Sequence, residues 1–382
     1  MPLSSAEFSA ATLNIGNKIS LPDFVSKLRE LGLPASNSWA KTIGGLQDII
    51  DAPGASQSDL ASLDVLIEWI SVYLCSFSKA VAIYELGERT GTFALQNLAN
   101  SLYDGFMAAG AEINYPGGDY PALADKKLAG TLIERIFIRE VLHSTSELSF
   151  VFTTVSEYLV RENISLTPAD SVAVTKLAGF REIIGIKKVA YEHVDIVRIS
   201  YGASHPGSLS AELILDVSRP GPSPLNQEET SGRFKKYSSL TNVALQASSL
   251  KLALPHAVNL FEAMDKIYSS KEGNVCELGF ATTLGGSVKR EKMKRNTADL
   301  RVETWHAGGR NAIAAAPIPD TIVIYRLSVS WKIMMSKDQP VLCVPGTFRS
   351  LSKGEVLYAL IFGCTEKVSF DFAYSRLLDF TK

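Results

Sequence analysis

The sequence is poor in charge. Asp, Glu, Lys and Arg make up 20% of its 382 residues, whereas about 25% is usual for a globular protein. A chain with few charges has less with which to cover its surface, so it is expected either to enclose a large core or to bury part of its surface against other copies. The net charge of −2 excludes a global attraction to nucleic acid or to an acidic membrane.

Long uncharged runs are also missing. The most apolar segment, "LDVLIEWISVYLCSFSKAVAIY", contains Asp64, Glu68 and Lys79, whereas a membrane span needs about 20 nearly uncharged residues. The first residues, "MPLSSAEFSAATL", show no basic stretch followed by an apolar block. The sequence therefore predicts neither a secretory signal nor a membrane partner.

Cysteine and histidine are scarce. The four cysteines form no C-x-x-C pair and lie in apolar patterns, as expected of reduced core residues in a cytoplasmic protein; they are Cys75, Cys276, Cys343 and Cys364. The five histidines show no H-x-H or H-E-x-x-H spacing. Phosphate-loop, dinucleotide and nucleophile-elbow glycine patterns are absent as well. We therefore predict no cofactor, no metal site and no catalytic residue, and the sequence leans against an enzyme.

The periodicity of apolar residues changes near residue 190, which predicts an α+β protein. Apolar residues at helical spacing predict an all-helical domain over 1–190. The predicted helices cover "SLPDFVSKLRELG", residues 59–88, "TFALQNLANSLYDGFMAAG", "ALADKKLAGTLIERIFIREVLH", "ELSFVFTTVSEYLVREN" and a segment from Thr167. Residues 191–382 are predicted to form a mixed domain of mostly antiparallel strands with a few helices.

In this second half, alternating β-branched and aromatic residues predict six strands. They are "VDIVRISYG", "AELILDVS", "NVCELGFATTL", "TIVIYRLSVSWKIMM", "PVLCVPG" and "KVSFDFAY". Helices are predicted over "HAVNLFEAMDKIYSS" and "GEVLYALIFG". Three prolines in "SRPGPSPLNQEETSG" predict an exposed loop over 218–232. The C-terminal "FDFAYSRLLDF" is expected to add a strand or short helix to a neighbouring copy, or to pack within its own chain.

One segment concentrates positive charge. "GGSVKREKMKRN", residues 285–296, contains five basic residues and only Glu291 against them. We predict a basic loop whose side chains contact nucleic-acid phosphates, together with two arginines that follow it. These residues are Lys289, Arg290, Lys292, Lys294, Arg295, Arg301 and Arg310. The alternatives are a solvated loop or hairpin and a nuclear-import signal.

The segment "ETWHAGGRNA" extends this basic region. Arg310 and Asn311 can donate hydrogen bonds to a phosphate or a carboxylate, and Trp305 and His306 can offer a stacking face to a base. The alternative is a loop that follows a strand, with Trp305 in the core. No helix-turn-helix, RRM, KH or zinc-finger pattern is present, so any contact with nucleic acid is expected to be with the backbone, and RNA is the expected partner.

These features together favour a self-assembling structural protein that encloses or coats nucleic acid. A viral capsid or nucleocapsid protein is the commonest example, with the virion as its location. The first residues, "MPLSSAEFSAATLNIGNK", contain one acidic and one basic residue, which counts against an ordinary icosahedral coat that neutralises single-stranded RNA with a basic N-terminal arm. Two other classes stay open: a cytosolic enzyme whose active-site residues are scattered along the sequence, and a monomeric interaction module.

Overall fold

A computed structural model of the chain describes most of its residues. They are residues 8, 12, 14–52, 56–88, 95–164, 183–201, 208–219, 226–284, 286–295, 298–315, 320–334 and 336–382. The helix expected from Thr167 lies outside the described residues. The described residues form a mixed α+β structure, which confirms the predicted class.

The first half contains both helices and strands. Its helices are α1 Leu21–Glu30, α2 Trp39–Asp51, α3 Gln57–Ser76, α4 Leu95–Ala108 and α5 Lys126–Thr131. Its strands are β1 Lys79–Glu88, β2 Ile136–His143, β3 Glu147–Ile164 and β4 Ile183–Tyr201. The all-helical first half is therefore only partly confirmed, and the domain boundary predicted at residue 190 lies inside β4.

The second half alternates strands with short helices. Its strands are β5 Ser208–Asp216, β6 Asn274–Thr282, β7 Val288–Lys292, β8 Ile322–Ser330, β9 Val341–Val344 and β10 Ala359–Phe362. Its helices are α6 Gln227–Ala247, α7 Phe261–Ser269, α8 Thr304–Ala314, α9 Phe348–Lys353 and α10 Lys367–Thr381.

Side-chain caps fix several helix starts. The Ser20 hydroxyl accepts a hydrogen bond from the Asp23 amide at 3.2 Å, which starts α1 where the sequence predicts it. Asn226 and Glu229 form a reciprocal capping box at the start of α6. The loop predicted over 218–232 therefore ends where α6 begins, and residues 220–225 of it lie outside the described part of the chain.

Ten strands from both halves form one antiparallel sheet. Their order is β2-β3-β4-β5-β1-β10-β9-β8-β6-β7. The two sides of the sheet are joined where β1 pairs with the short strand β10, from Lys79 opposite Ile361 to Val81 opposite Ala359. Strands β2 and β7 are the two edges.

Helices cover both faces of the sheet. Helices α4 and α6 pack on one face, over Phe150 and Phe152 of β3. Gly105 allows these two helices to approach closely, because a Cβ there would lie 2.8 Å from backbone atoms of Ala244. Helices α1–α3 cover the other face around Val151 and Val194. On that same face, α7 and α10 cover the strands on the β7 side.

Several predicted elements were wrong. The segment "ELSFVFTTVSEYLVREN" is strand β3, and residues 79–88, which were predicted to continue a helix, are β1. In the predicted helix "ALADKKLAGTLIERIFIREVLH", only residues 126–131 are helical, and β2 follows them. "GEVLYALIFG" contains β10 instead of a helix, and "KVSFDFAY" begins α10 instead of a strand. The C-terminal helix buries Phe370, Tyr374, Leu377 and Leu378 in its own chain, so it is not a free tail.

Candidate functional site

The predicted basic loop contains the outermost strand of the sheet. Residues 288–292 form β7, which pairs with β6 from Glu277 opposite Lys292 to Ala281 opposite Val288. The segment is therefore a β-hairpin whose second strand has no further neighbour among the described strands. We call β6, β7 and residues 293–295 the basic hairpin. Alternation along β7 places Lys289 and Glu291 on one face and Arg290 and Lys292 on the other.

Arg290 is paired within the protein. Its Nε and Nη2 atoms lie 2.7 and 2.6 Å from Oε1 of the buried Glu277. Arg326 of β8 approaches the same oxygen at 2.5 Å. Burial alone would raise the pKa of Glu277, but the two guanidinium groups outweigh burial and lower it. Arg290 is therefore an exposed side chain held by a buried carboxylate, and Arg326 is a member of this cluster that sequence reasoning missed.

Arg301 anchors the turn before β6. Its Nε atom lies 3.0 Å from both carboxylate oxygens of Asp299, and its two Nη atoms donate to the backbone carbonyls of Ser270 and Gly273. Only 12% of its side chain is exposed. Because its donors already have acceptors, Arg301 holds the α7–β6 connection in place.

A relay of hydrogen bonds fixes α8 against β7. Glu291 Oε2 lies 2.6 Å from His306 Nδ1, and His306 Nε2 lies 2.7 Å from the Tyr268 hydroxyl. Because a carboxylate only accepts, His306 Nδ1 donates to Glu291, and in the neutral ring His306 Nε2 accepts from the Tyr268 hydroxyl, which itself accepts from Arg310 Nη1 at 3.1 Å. A carboxylate–imidazole–phenol chain can move a proton. Here Tyr268 is 7% exposed and burial raises its pKa, so the relay serves to position α8.

Four predicted cations project from the hairpin without partners. They are exposed and form no ion pair with any described residue; they are Lys289, Lys292, Lys294 and Arg295. Trp305 stands next to His306 in the first turn of α8 and is 87% exposed. The alternative that placed Trp305 in the core was wrong, and His306 is the buried member of the pair. An exposed indole and unpaired cations therefore occur in neighbouring elements.

A large groove lies near the middle of the sheet. It has a volume of about 1170 Å³, and Ala82 and Tyr84 of β1 form part of its floor, between α6 and α9. Lys235, Arg349 and Lys353 line it and make no ion pair within the described ranges. Sequence reasoning missed these three cations because they are isolated in the chain and not in a cluster.

A second charged cluster is buried where β5 ends. Lys18 Nζ lies 2.7 Å from Asp216 Oδ2, and both side chains are about 5% exposed or less. Lys79 is fully buried and donates to the Val194 carbonyl at 2.7 Å. Burial opposes the ionisation of Asp216, but the Lys18 and Lys79 charges outweigh it and hold its pKa well below the usual range. Burial in turn lowers the pKa of Lys79.

The same cluster continues onto α6. Arg233 forms an ion pair with the buried Asp195 of β4. His193 Nε2 lies 2.8 Å from the Tyr158 hydroxyl, and its Nδ1 lies 3.9 Å from Asp216. Burial, assisted by the Arg233 charge, lowers the pKa of His193 well below its usual value. Local sequence patterns indicate none of these residues, because their partners are far apart in the chain.

Comparison with known proteins gives no family. Among the residues described, no three His, Cys, Asp or Glu side chains are grouped as a metal site would require. None of the helices in the described ranges is both long and apolar enough to cross a bilayer. No protein-family model matches the chain, and no curated protein has a significantly similar sequence.

Proposed function

We propose that this chain is a self-assembling structural protein that coats or encloses nucleic acid, as a viral capsid or nucleocapsid protein does. The basic hairpin contacts the phosphate backbone. The observation that carries the proposal is a set of four exposed cations that have no ion-pair partner among the described residues, beside the exposed Trp305; they are Lys289, Lys292, Lys294 and Arg295. Arg290, Arg301 and Arg310 already have protein partners, so the contacts are assigned to the other four residues.

The chemistry of this surface suits a single strand. Each Lys or Arg that neutralises a phosphate releases condensed counterions, so affinity falls as salt rises. An exposed indole can stack on any base, which adds affinity without sequence readout. The pairs Arg290–Glu277 and His306–Glu291, each with one buried member, hold the hairpin and α8 in place, so little ordering is required on binding.

Self-assembly is supported by one edge of the sheet. Glu112 bridges the outer side of β2 through backbone hydrogen bonds to Ile136 and Ile138, whereas β7 leaves one side without a partner among the described strands. Such an edge can accept a strand from another chain, and the low charge content leaves apolar surface to be covered. The protein's partners under this proposal are other copies of itself and an RNA backbone.

The test is the salt dependence of binding to single-stranded RNA. Replacing Lys289, Lys292, Lys294 and Arg295 with Gln should flatten the slope of log affinity against log salt by up to about 2.8 units, at about 0.7 per lost contact. The matched control replaces Arg29, Lys41, Lys126 and Lys127, which are cations in the N-terminal half. The control removes the same charge and should leave most of the slope unchanged.

Two outcomes would contradict the proposal. Equal slopes for the wild type and the hairpin variant would show that the cations are merely solvated. A clean monomer in light scattering would contradict self-assembly. A 260/280 nm absorbance ratio typical of pure protein in the same sample would show that no nucleic acid is bound. Circular dichroism of the hairpin variant serves as the folding control, and its spectrum should match that of the wild type.

A further inference from the structure

The basic hairpin and the large groove between α6 and α9 share one face of the sheet. Paired residues on neighbouring strands point to the same face, so the register can be followed from one site to the other. It gives one unbroken row across six strands: Lys292, Glu277, Ser328, Cys343, Leu360 and Ala80. Lys292 begins this row on the hairpin, and Ala82, two residues from Ala80 on β1, lies in the floor of the groove.

The row is short enough for one nucleic-acid strand to reach both sites. Five strand spacings of about 4.8 Å separate Lys292 from Ala80, which amounts to about 24 Å. Even when a strand is stacked as in a duplex, at about 3.4 Å per nucleotide, about seven nucleotides span that distance. This length lies within the range of about 4–16 nucleotides that single-strand-binding folds cover.

Arg326 carries positive charge between the two sites. It lies on β8, two residues from Ser328 and therefore on the same face. Its Nε atom lies 2.5 Å from Glu277 Oε1, the oxygen that Arg290 also contacts, so two guanidinium groups face one carboxylate and leave a net positive charge. Burial raises the pKa of Tyr358 to about 12, and the Arg326 charge opposes that rise. Because Tyr358 lines the groove, Arg326 lies between the groove and the hairpin.

Three cations of the groove have no ion-pair partner among the described residues. Lys235 on α6 and Arg349 and Lys353 on α9 are exposed and line the groove. Two carboxylates, Glu228 and Glu355, line it as well, so the groove keeps a surplus of positive charge. Glu228 lies in the first turn of α6, where a negative charge stabilises the positive end of the helix. The groove therefore favours an anionic ligand.

The walls of the groove are polar. Gln227, Ser239 and Gln246 of α6 are exposed and line it, and the Tyr84 hydroxyl on its floor lies 2.9 Å from the Ser238 hydroxyl. An apolar partner would remove water from these groups without replacing its hydrogen bonds, which is costly. Sugars and base edges can form such hydrogen bonds. An acidic peptide would also match the cations, but the row that joins the groove to the basic hairpin favours a nucleic-acid strand.

We propose that the single strand bound by the basic hairpin continues over Arg326 into the groove, where Lys235, Arg349 and Lys353 contact its phosphates. The groove adds three phosphate contacts to those assigned to the hairpin, and each copy of the chain covers a longer segment of the strand than the hairpin alone would. This inference rests on the nucleic-acid half of the proposed function.

The length of the bound oligouridine separates the groove from the hairpin. The groove variant combines Lys235→Gln, Arg349→Gln and Lys353→Gln. With an oligouridine of about 12 nucleotides, it should flatten the slope of log affinity against log salt by up to about 2.1 units, at about 0.7 per lost contact. An oligouridine of about 4 nucleotides reaches only one site at a time and should bind the hairpin, which has more unpaired cations and an exposed indole. With this short strand the groove variant should keep the wild-type slope.

The matched control replaces three exposed cations of the N-terminal half with Gln: Arg29, Lys41 and Lys127. It removes the same charge and should keep the wild-type slope with both lengths. Because all six residues are exposed, the circular dichroism spectra of both variants should match that of the wild type.

The outcomes distinguish this inference from the proposed function. A wild-type slope for the groove variant with the long oligouridine, together with a flattened slope for the hairpin variant, would overturn the inference and leave the hairpin proposal intact. No binding of either length by the wild type would overturn both. If the groove variant lost binding to polyglutamate and kept the wild-type slope with RNA, the groove would be a site for an acidic protein and the inference would be wrong.

Photo-cross-linking tests the path of the strand. A 4-thiouridine is placed at one end of the long oligouridine or at the other, and the cross-linked peptides are identified by mass spectrometry. We expect one end to cross-link to the hairpin or to the peptide that contains Trp305, and the other end to the groove peptides that contain Tyr84 or His256. Cross-links of both ends to the hairpin alone would overturn the inference. Cross-links of each end to both sites equally would show two independent sites and would overturn it as well.

Discussion

Two groups of charges in this molecule have opposite environments. At the end of β5, Lys18, Lys79 and Asp216 are buried and in contact with one another or with backbone oxygens. On the basic hairpin, Lys289 and Lys292 are exposed and have no ion-pair partner among the described residues. The number of charges is similar, but the buried group is satisfied by the fold and the exposed group is available to a ligand.

The comparison separates structural from functional charge. Removing one member of a buried pair leaves the other desolvated and unpaired, which costs several kcal/mol. Removing an exposed, unpaired cation costs almost nothing in stability, generally within about 0.5 kcal/mol. Substitutions in the buried cluster should therefore change folding and leave RNA binding unchanged, and substitutions on the hairpin should do the reverse.

The largest effect is expected from Lys18→Met. Asp216 would lose the ammonium group that lies 2.7 Å from its carboxylate, and the free energy of unfolding should fall by about 3 kcal/mol. Urea denaturation followed by circular dichroism measures the change. Lys41→Met, at an exposed position on α2, is the control. A loss below about 1 kcal/mol would mean that Lys79 alone compensates Asp216, and the contrast between the two groups of charges would weaken.

The next effect is on binding and concerns Trp305. Trp305→Ala removes the exposed indole, and loss of one base stack should weaken RNA binding by about 1–3 kcal/mol, which is roughly 5- to 150-fold. The salt slope should not change, because no cation is lost. Met334→Ala, at a residue that is 88% exposed, is the matched control. An unchanged affinity of Trp305→Ala would assign binding to charge alone.

The third prediction is the acid sensitivity of the buried cluster. The fold depresses the pKa of His193, whereas the unfolded value is about 6.5. Below about pH 6.5 the His193 imidazole binds a proton in the unfolded chain but not in the folded protein. The free energy of unfolding is therefore unaffected by His193 above that pH and decreases as pH falls below it, by up to about 1.4 kcal/mol per unit. Asp216 adds to the loss only at lower pH, below its unfolded value of about 3.9.

His193→Gln removes this titration and retains an amide that can hydrogen-bond to Tyr158. Denaturation at pH 7 and pH 5.5 should therefore show a smaller stability loss for His193→Gln than for the wild type. His143→Gln, at an exposed histidine, should behave like the wild type. Parallel losses in all three proteins would show that other groups cause the acid sensitivity.

Part of this fold was predictable from local signals. Ser20 and Asp23 gave the start of α1, because a cap is a contact between near neighbours in sequence. Strand β3 was mistaken for a helix because both of its faces are buried, and an apolar run without alternation does not distinguish the two structures. Phe370, Phe372 and Tyr374 alternate like a strand, yet they lie on a helix, whose period only tertiary packing reveals.

The position of the basic segment was predictable from the sequence, but the partners of its side chains were not. A count of basic residues located the hairpin, but Glu277 binds Arg290 from the neighbouring strand, 13 positions away. Arg301 is held mainly by backbone carbonyls. Because every residue has a backbone carbonyl, the sequence does not indicate which ones accept from Arg301. Trp305 lies on the surface although tryptophan usually favours partial burial. Which cations remain unpaired depends on the register of β6 and β7 and on the position of α8.

The smallest predicted effect is a gain in RNA affinity, whereas substitution of the hairpin cations is expected to lower it. Glu291 is the acidic residue of β7, and its carboxylate holds His306 at 2.6 Å. Glu291→Gln keeps an oxygen that accepts the His306 Nδ1 proton and removes one negative charge beside Lys289 and Lys292. At about 7 Å in water one unit charge is worth about 0.6 kcal/mol, and salt screens part of it. RNA affinity should therefore rise about two- to threefold, measured at low salt with the slope almost unchanged.

Glu303→Gln is not a suitable control, because Glu303 caps α8. The control is Glu157→Gln on β3, which is remote from the hairpin; it changes the same charge and should leave RNA affinity unchanged. A fall in affinity for Glu291→Gln would mean that the relay to His306 positions the binding surface more than the charge opposes it. Equal affinity for Glu291→Gln and wild type would place the phosphates away from β7. Only a gain confined to Glu291→Gln agrees with a phosphate backbone that lies along the hairpin.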